Sequence, residues 1–302
     1  MASPTLPPAI EAERKTMRRR SGPLSYYVRD KGEPLLLIHS INAAASAFEV
    51  RPLAHGIHRR RIYAPDLPGF GHSDRSNRNY SIRLYTDAII DVLDEIAEQT
   101  GQRRVDAIAL SLSCEFLARA AVENPERFRS LAFVTPTGFE RGSSTRRGEP
   151  GGSREIPGLY KALTVPPWRR SLFNLLVSRP SIRFFLKKTF GSDRIDEGLL
   201  DYDYITAHQP GAEHAPYAFV SGRLFSADIR NLYEALTLPI CVFQAEKGDF
   251  KDFSEADWAR ARSNWEFHPF HTGALVQFEK PESMIQTYEA FLARHGDRMA
   301  AE

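Results

Sequence analysis

The amino-acid sequence predicts an α/β fold, in which helices flank a mostly parallel central sheet and a helical insertion lies above one edge. Apolar runs of strand length alternate along the chain with segments of helical period, a pattern typical of a parallel sheet covered on both faces. One apolar run turns directly into an alanine-rich helix at residues 105–123. The composition changes at residue 138, and the strand pattern resumes only at residue 238. The last strands of the sheet are therefore predicted to follow a large insertion.

Eight strands are predicted, and the first two form an antiparallel pair. They cover Thr16–Arg20, Leu24–Arg29, Pro34–His39, Arg61–Ala64, Val105–Leu110, Ser130–Thr135, Ile240–Gln244 and Trp265–Phe270. Helices are predicted at Ala44–Leu53, Ile82–Gln99, Leu112–Glu123 and Pro281–His295. The helix from Ile82 carries its apolar residues along one face at helical spacing, which indicates that this face packs on the sheet.

The insertion begins with residues 138–158, whose Gly, Ser, Pro, Arg and Glu content predicts a linker or long loop. An aromatic-rich segment broken by prolines follows, with helical stretches around Ser171–Phe190 and Arg194–Ala207. Because ligands of open α/β folds bind at the carboxyl ends of the parallel strands, we expect an insertion at this edge to be a cap. The predicted division is a core of residues 13–138 and 236–297, a linker and helical cap of residues 139–235, and a flexible N-terminus of residues 1–12.

Composition and charge argue against several classes of protein. The 302 residues carry a net charge of +2, which gives no reason to expect a nucleic-acid partner. No apolar run is long enough for a membrane span, and the N-terminus lacks the apolar region of a signal peptide, so a cytoplasmic location is expected. Cys114 and Cys241 each lie in an apolar run, which disfavours a disulfide or a cysteine metal site. No glycine-rich phosphate loop and no cluster with metal-ligand spacing occurs, so no cofactor is predicted.

The most informative segment is the junction Val105–Pro125, where the apolar strand meets the alanine-rich helix at Ser111. A nucleophile on such a tight turn adopts a strained backbone, and the residues two positions away on either side must be small. Ala109 and Ser113 meet this steric requirement. A serine here also stands at a helix N-terminus, where developing negative charge is stabilised. By itself the pattern is explained equally well by a serine that only caps the helix.

Three further segments decide between these readings. Leu35–Leu53 (LLLIHSINAAASAFEVRPL) resembles the strand and loop that carry the oxyanion motif of the α/β-hydrolase superfamily. Tyr63–Asp74 (YAPDLPGFGHSD) resembles the turn after that superfamily's next strand, and Phe278–Leu292 (FEKPESMIQTYEAFL) resembles its final helix. Together with the junction at Ser111, the four segments occur in the superfamily's order and span nearly the whole chain. The resemblance implies an α/β-hydrolase fold with a cap.

The resemblance also implies roles for particular residues. Ser111 is the expected nucleophile, and the N–H groups of Leu112 and Ile41 are the expected oxyanion donors. Asp249, in the turn Ala245–Phe250, is the expected acid, and Asp252 is the alternative. Ser40 and Ala109 stand where the superfamily usually has glycine.

The expected general base is missing. In the superfamily a histidine lies five residues before the glutamate of a Glu-x-Pro sequence, and here Glu279 fixes that position at Ala274. A serine hydroxyl is a weak nucleophile until a base accepts its proton. His271 could supply the base if the chain after it turns back towards Ser111, and His208 or His214 of the predicted cap could reach down instead.

Two functions follow from these observations. The first is a serine hydrolase or acyltransferase that acts through Ser111, Asp249 and His271 on a small apolar ester, thioester or amide. The second is a non-hydrolytic protein that binds a small molecule or a partner in an inherited pocket, because the base position is Ala274. A serine nucleophile disfavours haloalkane dehalogenase and epoxide hydrolase chemistry, which in related enzymes uses a carboxylate.

Overall fold

The computed structural model describes residues 5–29 and 31–299, with side chains described up to residue 295. The strands are β1 (Glu13–Arg19), β2 (Gly22–Arg29), β3 (Glu33–Ile38), β4 (Arg60–Pro65), β5 (Val105–Leu110), β6 (Phe128–Val134), β7 (Ile240–Ala245) and β8 (Trp265–Phe270). The helices are α1 (Arg51–Gly56), α2 (Ile82–Thr100), α3 (Ser113–Glu123), α4 (Leu159–Leu163), α5 (Pro166–Leu176), α6 (Arg179–Phe190), α7 (Glu197–Ala207), α8 (His214–Val220), α9 (Ile229–Ala235), α10 (Asp257–Arg260), α11 (Val276–Glu279) and α12 (Pro281–Met299). Short 3₁₀ helices lie at Ala47–Val50, Pro125–Arg127 and Ser143–Thr145.

The eight strands form one sheet in the order β1-β2-β4-β3-β5-β6-β7-β8. The first two strands are antiparallel to each other, β2 is antiparallel to β4, and the remaining pairs are parallel. The central strands β3, β5 and β6 are buried nearly throughout, because helices cover both faces of the sheet. The predicted strands and their parallel pairing are confirmed. The carboxyl ends of β3, β5, β6, β7 and β8 therefore meet at one edge.

Two predicted helices differ from the observed ones, and proline accounts for part of each difference. The predicted helix Ala44–Leu53 is a 3₁₀ turn capped by Ser46, followed by α1 with Pro52 in its first turn. The predicted stretch Ser171–Phe190 is two helices, α5 and α6, because Pro180 lies in the first turn of α6. Proline lacks an N–H and clashes with the preceding turn, so it is tolerated at a helix start and not in its interior.

Residues 5–12 of the predicted flexible N-terminus pack against the core, whereas residues 1–4 lie outside the described residues. Leu6, Ala9 and Ile10 are buried in the core. The N–H of Ala9 donates to Tyr27 Oη at 2.9 Å, and Tyr202 Oη of α7 donates to the carbonyl of Pro7 at 2.9 Å. The segment is ordered because its apolar side chains fill the core beside the sheet.

Six helices, α4 to α9, lie between β6 and β7, after the glycine-rich residues 138–158. This loop is bound to its surroundings: Glu255 accepts from the N–H of Gly142 at 2.6 Å, and Asp228 accepts from the N–H of Gly151 at 3.0 Å. Asp228 also forms an ion pair with Arg119 of α3 at 2.6 Å, and both side chains are at least nine-tenths buried. The helices of this segment are therefore tied to the helix that follows β5. In the part of the chain described here, no helix is long and apolar enough to cross a membrane.

Replacing Arg119 with Met should lower the free energy of unfolding by about 3 kcal/mol, because it leaves the Asp228 carboxylate buried without its counter-charge. Chemical denaturation measures the change. The control is Arg83→Met, whose exposed ion pair with Glu123 should contribute less than about 1 kcal/mol. Equal effects of the two substitutions would contradict a structural role for the buried pair.

Candidate active site at the carboxyl edge of the sheet

Ser111 lies at the sharp turn between β5 and α3, with a φ of 49°. This left-handed conformation is strained for a residue with a Cβ. It is held in place because the N–H of Ser111 donates to the carbonyl of Val134, at the end of β6, at 2.9 Å. The side chain of Ser111 lines a pocket at the carboxyl edge of the sheet. The serine is therefore strained and presented to a cavity, as a nucleophile position requires.

Ser113 has a definite role where the resembling pattern has glycine. Its hydroxyl donates to the carbonyl of His39 at 2.6 Å, and the residue is fully buried. This bond links the first turn of α3 to the loop after β3. The turn at Ser111 is thus held by the strands on both sides of β5.

The loop after β3 is organised around the buried carboxylate of Glu49. Its oxygens accept from the N–H of Ser40 at 2.7 Å, from Ser40 Oγ at 3.0 Å and from Asn42 Nδ2 at 2.7 Å. Burial raises the pKa of Glu49, and these hydrogen bonds act in the opposite direction. Ser40, which stands where the resembling superfamily usually has glycine, is therefore held in the loop by its hydrogen bonds to Glu49.

His39 is a structural residue, as expected from its position. Its Nε2 accepts from the N–H of Leu67 at 2.9 Å, so its Nδ1 carries the proton that is donated to the carbonyl of Ser40 at 2.6 Å. Full burial lowers the pKa of His39 to about 4. The imidazole is neutral and has no free nitrogen for the pocket.

The pocket beside Ser111 has a volume of about 110 Å³. Its wall is formed by the loop after β3, the turn at Ser111, the ends of β6 and α6, helices α7 and α8, and the loops after β7 and β8. The lining residues are Ser40, Ile41, Asn42, Glu49, Leu110, Ser111, Thr135, Leu186, Thr189, Leu199, Asp203, Phe219, Phe250, Ala274 and Leu275. The titratable side chains among them are Glu49 and Asp203.

A larger cleft of about 280 Å³ lies at the amino-terminal end of the parallel strands. Its charged residues neutralise one another, since Asp106 pairs with both Arg60 and Arg129. Ligands of open α/β sheets bind at the opposite, carboxyl edge. The smaller pocket at Ser111 is therefore the candidate site.

Asp203 is the most unusual residue of the pocket. It lies on α7, its exposed fraction is 5%, and its Oδ1 has no hydrogen-bond partner among the described residues. Burial raises its pKa well above the ordinary value, and the neighbouring charges of Glu49 and Asp196 raise it further. Buried carboxyl groups are normally paired, because desolvation of an unpaired charge is costly.

Of the two expected oxyanion donors, Ile41 lines the pocket, whereas Leu112, which precedes the first turn of α3, is not among the lining residues. Within the described residues, neither N–H group donates a hydrogen bond to a protein acceptor.

The structure does not bring a histidine to Ser111. His271 follows β8, its side chain is 77% exposed, and its Nδ1 lies 3.5 Å from a carboxylate oxygen of Glu246. The chain does not turn back as this hypothesis requires, because the carbonyl of Thr272 accepts from the N–H groups of Glu246 and Lys247 and keeps the segment beside β7. Ala274, at the position where the resemblance implies a histidine, forms part of the pocket wall.

The two histidines of the predicted cap are also outside the pocket lining. His208 Nδ1 lies 2.7 Å from the carbonyl of Tyr204 and its ring packs on that tyrosine. His214 is buried in α8, where burial lowers its pKa. No imidazole is therefore among the residues that line the pocket.

Asp249, the expected acid, is not among the residues that line the pocket beside Ser111. It forms an ion pair with Lys188 of α6 at 3.0 Å, and both side chains are about half exposed. Asp252, the alternative, caps a turn by accepting from the N–H groups of Ser254 and Arg141. Without an imidazole to orient, neither carboxylate has a triad function in this geometry.

The comparisons with known proteins agree with the fold. A family model described as the alpha/beta hydrolase fold matches residues 33–160. A solved serine hydrolase involved in carbazole degradation superposes with a TM-score of 0.71 at 16% identity, over 93% of this chain and 98% of that chain. The chain has the α/β-hydrolase fold, and its residues 33–160 match the family model of that fold.

Two curated α/β-hydrolase relatives match over part of their length. The 2-hydroxymuconate semialdehyde hydrolase of Pseudomonas putida is 33% identical over 118 residues, which is 37% of this chain and 40% of the relative. The haloalkane dehalogenase of Psychrobacter cryohalolentis is 31% identical over 116 residues, 35% of each chain. The chain thus matches about two-fifths or less of these relatives' length.

Sequence reasoning missed Glu49 and Asp203 as pocket residues. Asp203 had a detectable signal, because it lies four residues after Leu199 on the buried face of α7, where an apolar residue is expected. Glu49 had none, since a glutamate in a predicted helix is ordinary. Among the described residues, no three side chains of the metal-ligating types form a cluster that could hold an ion.

The backbone strain at Ser111 can be measured directly. Ser111→Gly and Ser111→Ala both remove the hydroxyl, but only glycine adopts the left-handed conformation without a Cβ clash. We expect the glycine variant to be more stable by about 1 kcal/mol in chemical denaturation. At Ser221, whose φ is −73°, the same pair should have the opposite order. A glycine variant that is no more stable than the alanine variant would contradict the strained turn.

Asp203→Asn should stabilise the protein at neutral pH by about 1–3 kcal/mol, because it removes a buried carboxyl that has no partner. Burial raises the pKa of Asp203 in the folded state, so the parent's stability decreases as the pH rises from the unfolded pKa of about 3.9 through the folded-state pKa. The variant's advantage should therefore be smallest near pH 4 and increase above it.

Denaturation at a series of pH values tests this dependence. The control is Asp201→Asn on the same helix, where the replaced carboxylate is 57% exposed and pairs with Arg179. An advantage of Asp203→Asn that stays constant with pH would exclude the titration of residue 203 as its cause.

Proposed function

We propose that this protein is a hydrolase that acts through Ser111 on a small ester, thioester or amide. The observation that carries the proposal is the left-handed backbone of Ser111, which costs stability and exposes the hydroxyl to the pocket. A serine that only capped the helix would have no need of this conformation. The relative named 2-hydroxymuconate semialdehyde hydrolase supports hydrolysis as the class of reaction.

In the proposed reaction, Ser111 Oγ attacks the substrate carbonyl carbon, and the oxyanion accepts from the N–H groups of Leu112 and Ile41. Both donors are preorganised by backbone geometry, and the N-terminus of α3 adds a favourable dipole. The hydroxyl proton passes to water, because the pocket wall has Ala274 in place of a base. An enzyme that lacks a triad member keeps about 10³–10⁴-fold acceleration over water from the oxyanion hole and binding. We therefore propose a slow hydrolase.

The small pocket restricts the substrate. A cavity of about 150 Å³ holds one benzene molecule, and the pocket beside Ser111 is about 110 Å³. The acyl group is therefore expected to have only a few carbon atoms.

The second candidate function is a non-hydrolytic binding protein of the same fold. It is favoured by Ala274 and by the exposed position of Asp249, which pairs with Lys188 instead of a histidine. This protein would use the same pocket and would not turn over an ester.

A fluorophosphonate probe distinguishes the two functions. Labelling should map to Ser111, be absent in Ser111→Ala, and persist unchanged in His271→Ala, since His271 is exposed at the other side of the strand end. Short-chain aryl esters should be hydrolysed above the rate of the Ser111→Ala variant. Absence of both labelling and turnover in the intact protein would favour the binding protein, and loss of labelling in His271→Ala would restore that residue to the mechanism.

Restoring the base should raise the rate of ester hydrolysis. Ala274→His introduces an imidazole into the pocket wall, but Asp249 remains paired with Lys188, so the further change Lys188→Gln is needed to free the acid. A positioned general base contributes about 10²–10⁴-fold. We expect the double variant to gain about 10²-fold in kcat/KM and Lys188→Gln alone to gain nothing. A double variant with the parent's activity would show that residue 274 is not placed to serve Ser111.

A further inference from the structure

The wall of the Ser111 pocket carries two acidic side chains and no basic one. Glu49 lies on the side of the loop after β3, and Asp203 lies on α7. Burial raises the pKa of Asp203, and the charge of Glu49 raises it further. A pocket of this composition is unfavourable for an anionic ligand and favourable for a cation.

The two carboxyl groups differ in their hydrogen bonds. Glu49 is saturated by Ser40 and Asn42, so its oxygens are committed to the loop. Asp203 makes no hydrogen bond among the described residues, and its buried Oδ1 is without a partner. A carboxyl group that is 5% exposed and unpartnered beside a cavity lacks the donor that such a group normally has.

We propose that Asp203 and Glu49 form a recognition site for a primary ammonium group, so that the substrate bears an amine close to the scissile carbonyl. This inference rests on the proposed function, since it names the substrate class of the same site. An ammonium group supplies N–H donors to the carboxyl group of Asp203, which lines the pocket, and its positive charge offsets the cost of burying the two carboxyl groups. The donor set is too small for a metal ion, because a third ligating side chain is absent from the described surroundings.

The shape of the pocket agrees with a short aliphatic amine. Its volume of about 110 Å³ is smaller than a cavity that holds benzene. Leu186, Leu199 and Phe219 line the remaining wall and can cover the methylene groups between the ammonium and the carbonyl.

The first experiment measures binding without turnover, in the Ser111→Ala variant. The ligands are n-butylammonium, n-butanol and butanoate, which have similar shapes and carry a positive charge, no charge and a negative charge. Calorimetry should show butylammonium binding at least about tenfold more tightly than butanol, and no binding of butanoate, because a hydrogen bond to a charged group contributes about 10–100-fold. Equal binding of the amine and the alcohol, or tighter binding of butanoate, would overturn the proposal.

Substitution of the acidic residue provides the second test. Asp203→Asn, in the Ser111→Ala background, should reduce butylammonium affinity about 10–100-fold and leave butanol unaffected. Asp201→Asn removes the same charge from the same helix outside the pocket and should leave both affinities unchanged. Unchanged amine binding in Asp203→Asn would overturn the assignment, and the ligand comparison in the previous experiment does not depend on this variant folding.

The third measurement connects recognition to reaction. The ethyl esters of 3-aminopropanoate and butanoate and the monoethyl ester of succinate differ only in the terminal group. Hydrolysis that requires Ser111 and prefers the amino ester, with the preference lost in Asp203→Asn, is the expected result. Amine binding without any hydrolysis would contradict the proposed hydrolase function and support the ammonium recognition site. Hydrolysis without preference for the amino ester would contradict the recognition site alone. Loss of all three hydrolyses in Asp203→Asn would identify residue 203 as a proton acceptor and overturn the ammonium site.

Discussion

The turn between β5 and α3 is the constraint on which the candidate site depends. Ser111 keeps a left-handed backbone because its N–H is bound to Val134 on one side and Ser113 is bound to His39 on the other. These two bonds connect the ends of β6 and β3 to the turn between them. The turn thereby sets the position of the Ser111 hydroxyl, the N–H of Leu112 and the loop that carries Ile41.

The loop after β3 is the second fixed part of the site. Ser40 stands where the resembling superfamily usually has glycine. The buried carboxylate of Glu49 holds Ser40 and Asn42 in position through hydrogen bonds. Gln277, at the start of the last helical region, donates to the carbonyl of Glu49 at 3.0 Å and secures the same segment from the other side. This loop is thus held by hydrogen bonds from two sides. The oxyanion donors of the proposed reaction would need such a fixed loop.

The buried carboxyl group on the acidic side of the pocket lowers the stability of the folded protein, and the fold does not offset this loss. Asp203 is buried, unpartnered and close to the charge of Glu49, so it reduces stability as it ionises. Unfavourable groups of this kind are typical of functional sites, because the missing interaction is supplied by the ligand. The pocket consequently combines a strained serine, two carboxyl groups and no imidazole, a combination that differs from a complete triad.

The sequence by itself determined the order and type of the strands, the turn at Ser111 and the absence of the base at residue 274. These features follow from local rules: apolar period, small residues around a tight turn, and a fixed spacing to Glu279. Only the tertiary structure decided that His271 points to solvent, that Asp249 pairs with Lys188, and that Glu49 and Asp203 meet in one pocket. Residues 49 and 203 are more than a hundred positions apart along the chain. They are brought to the same pocket by the packing of α6 and α7 over the sheet edge, and no local sequence pattern encodes that packing.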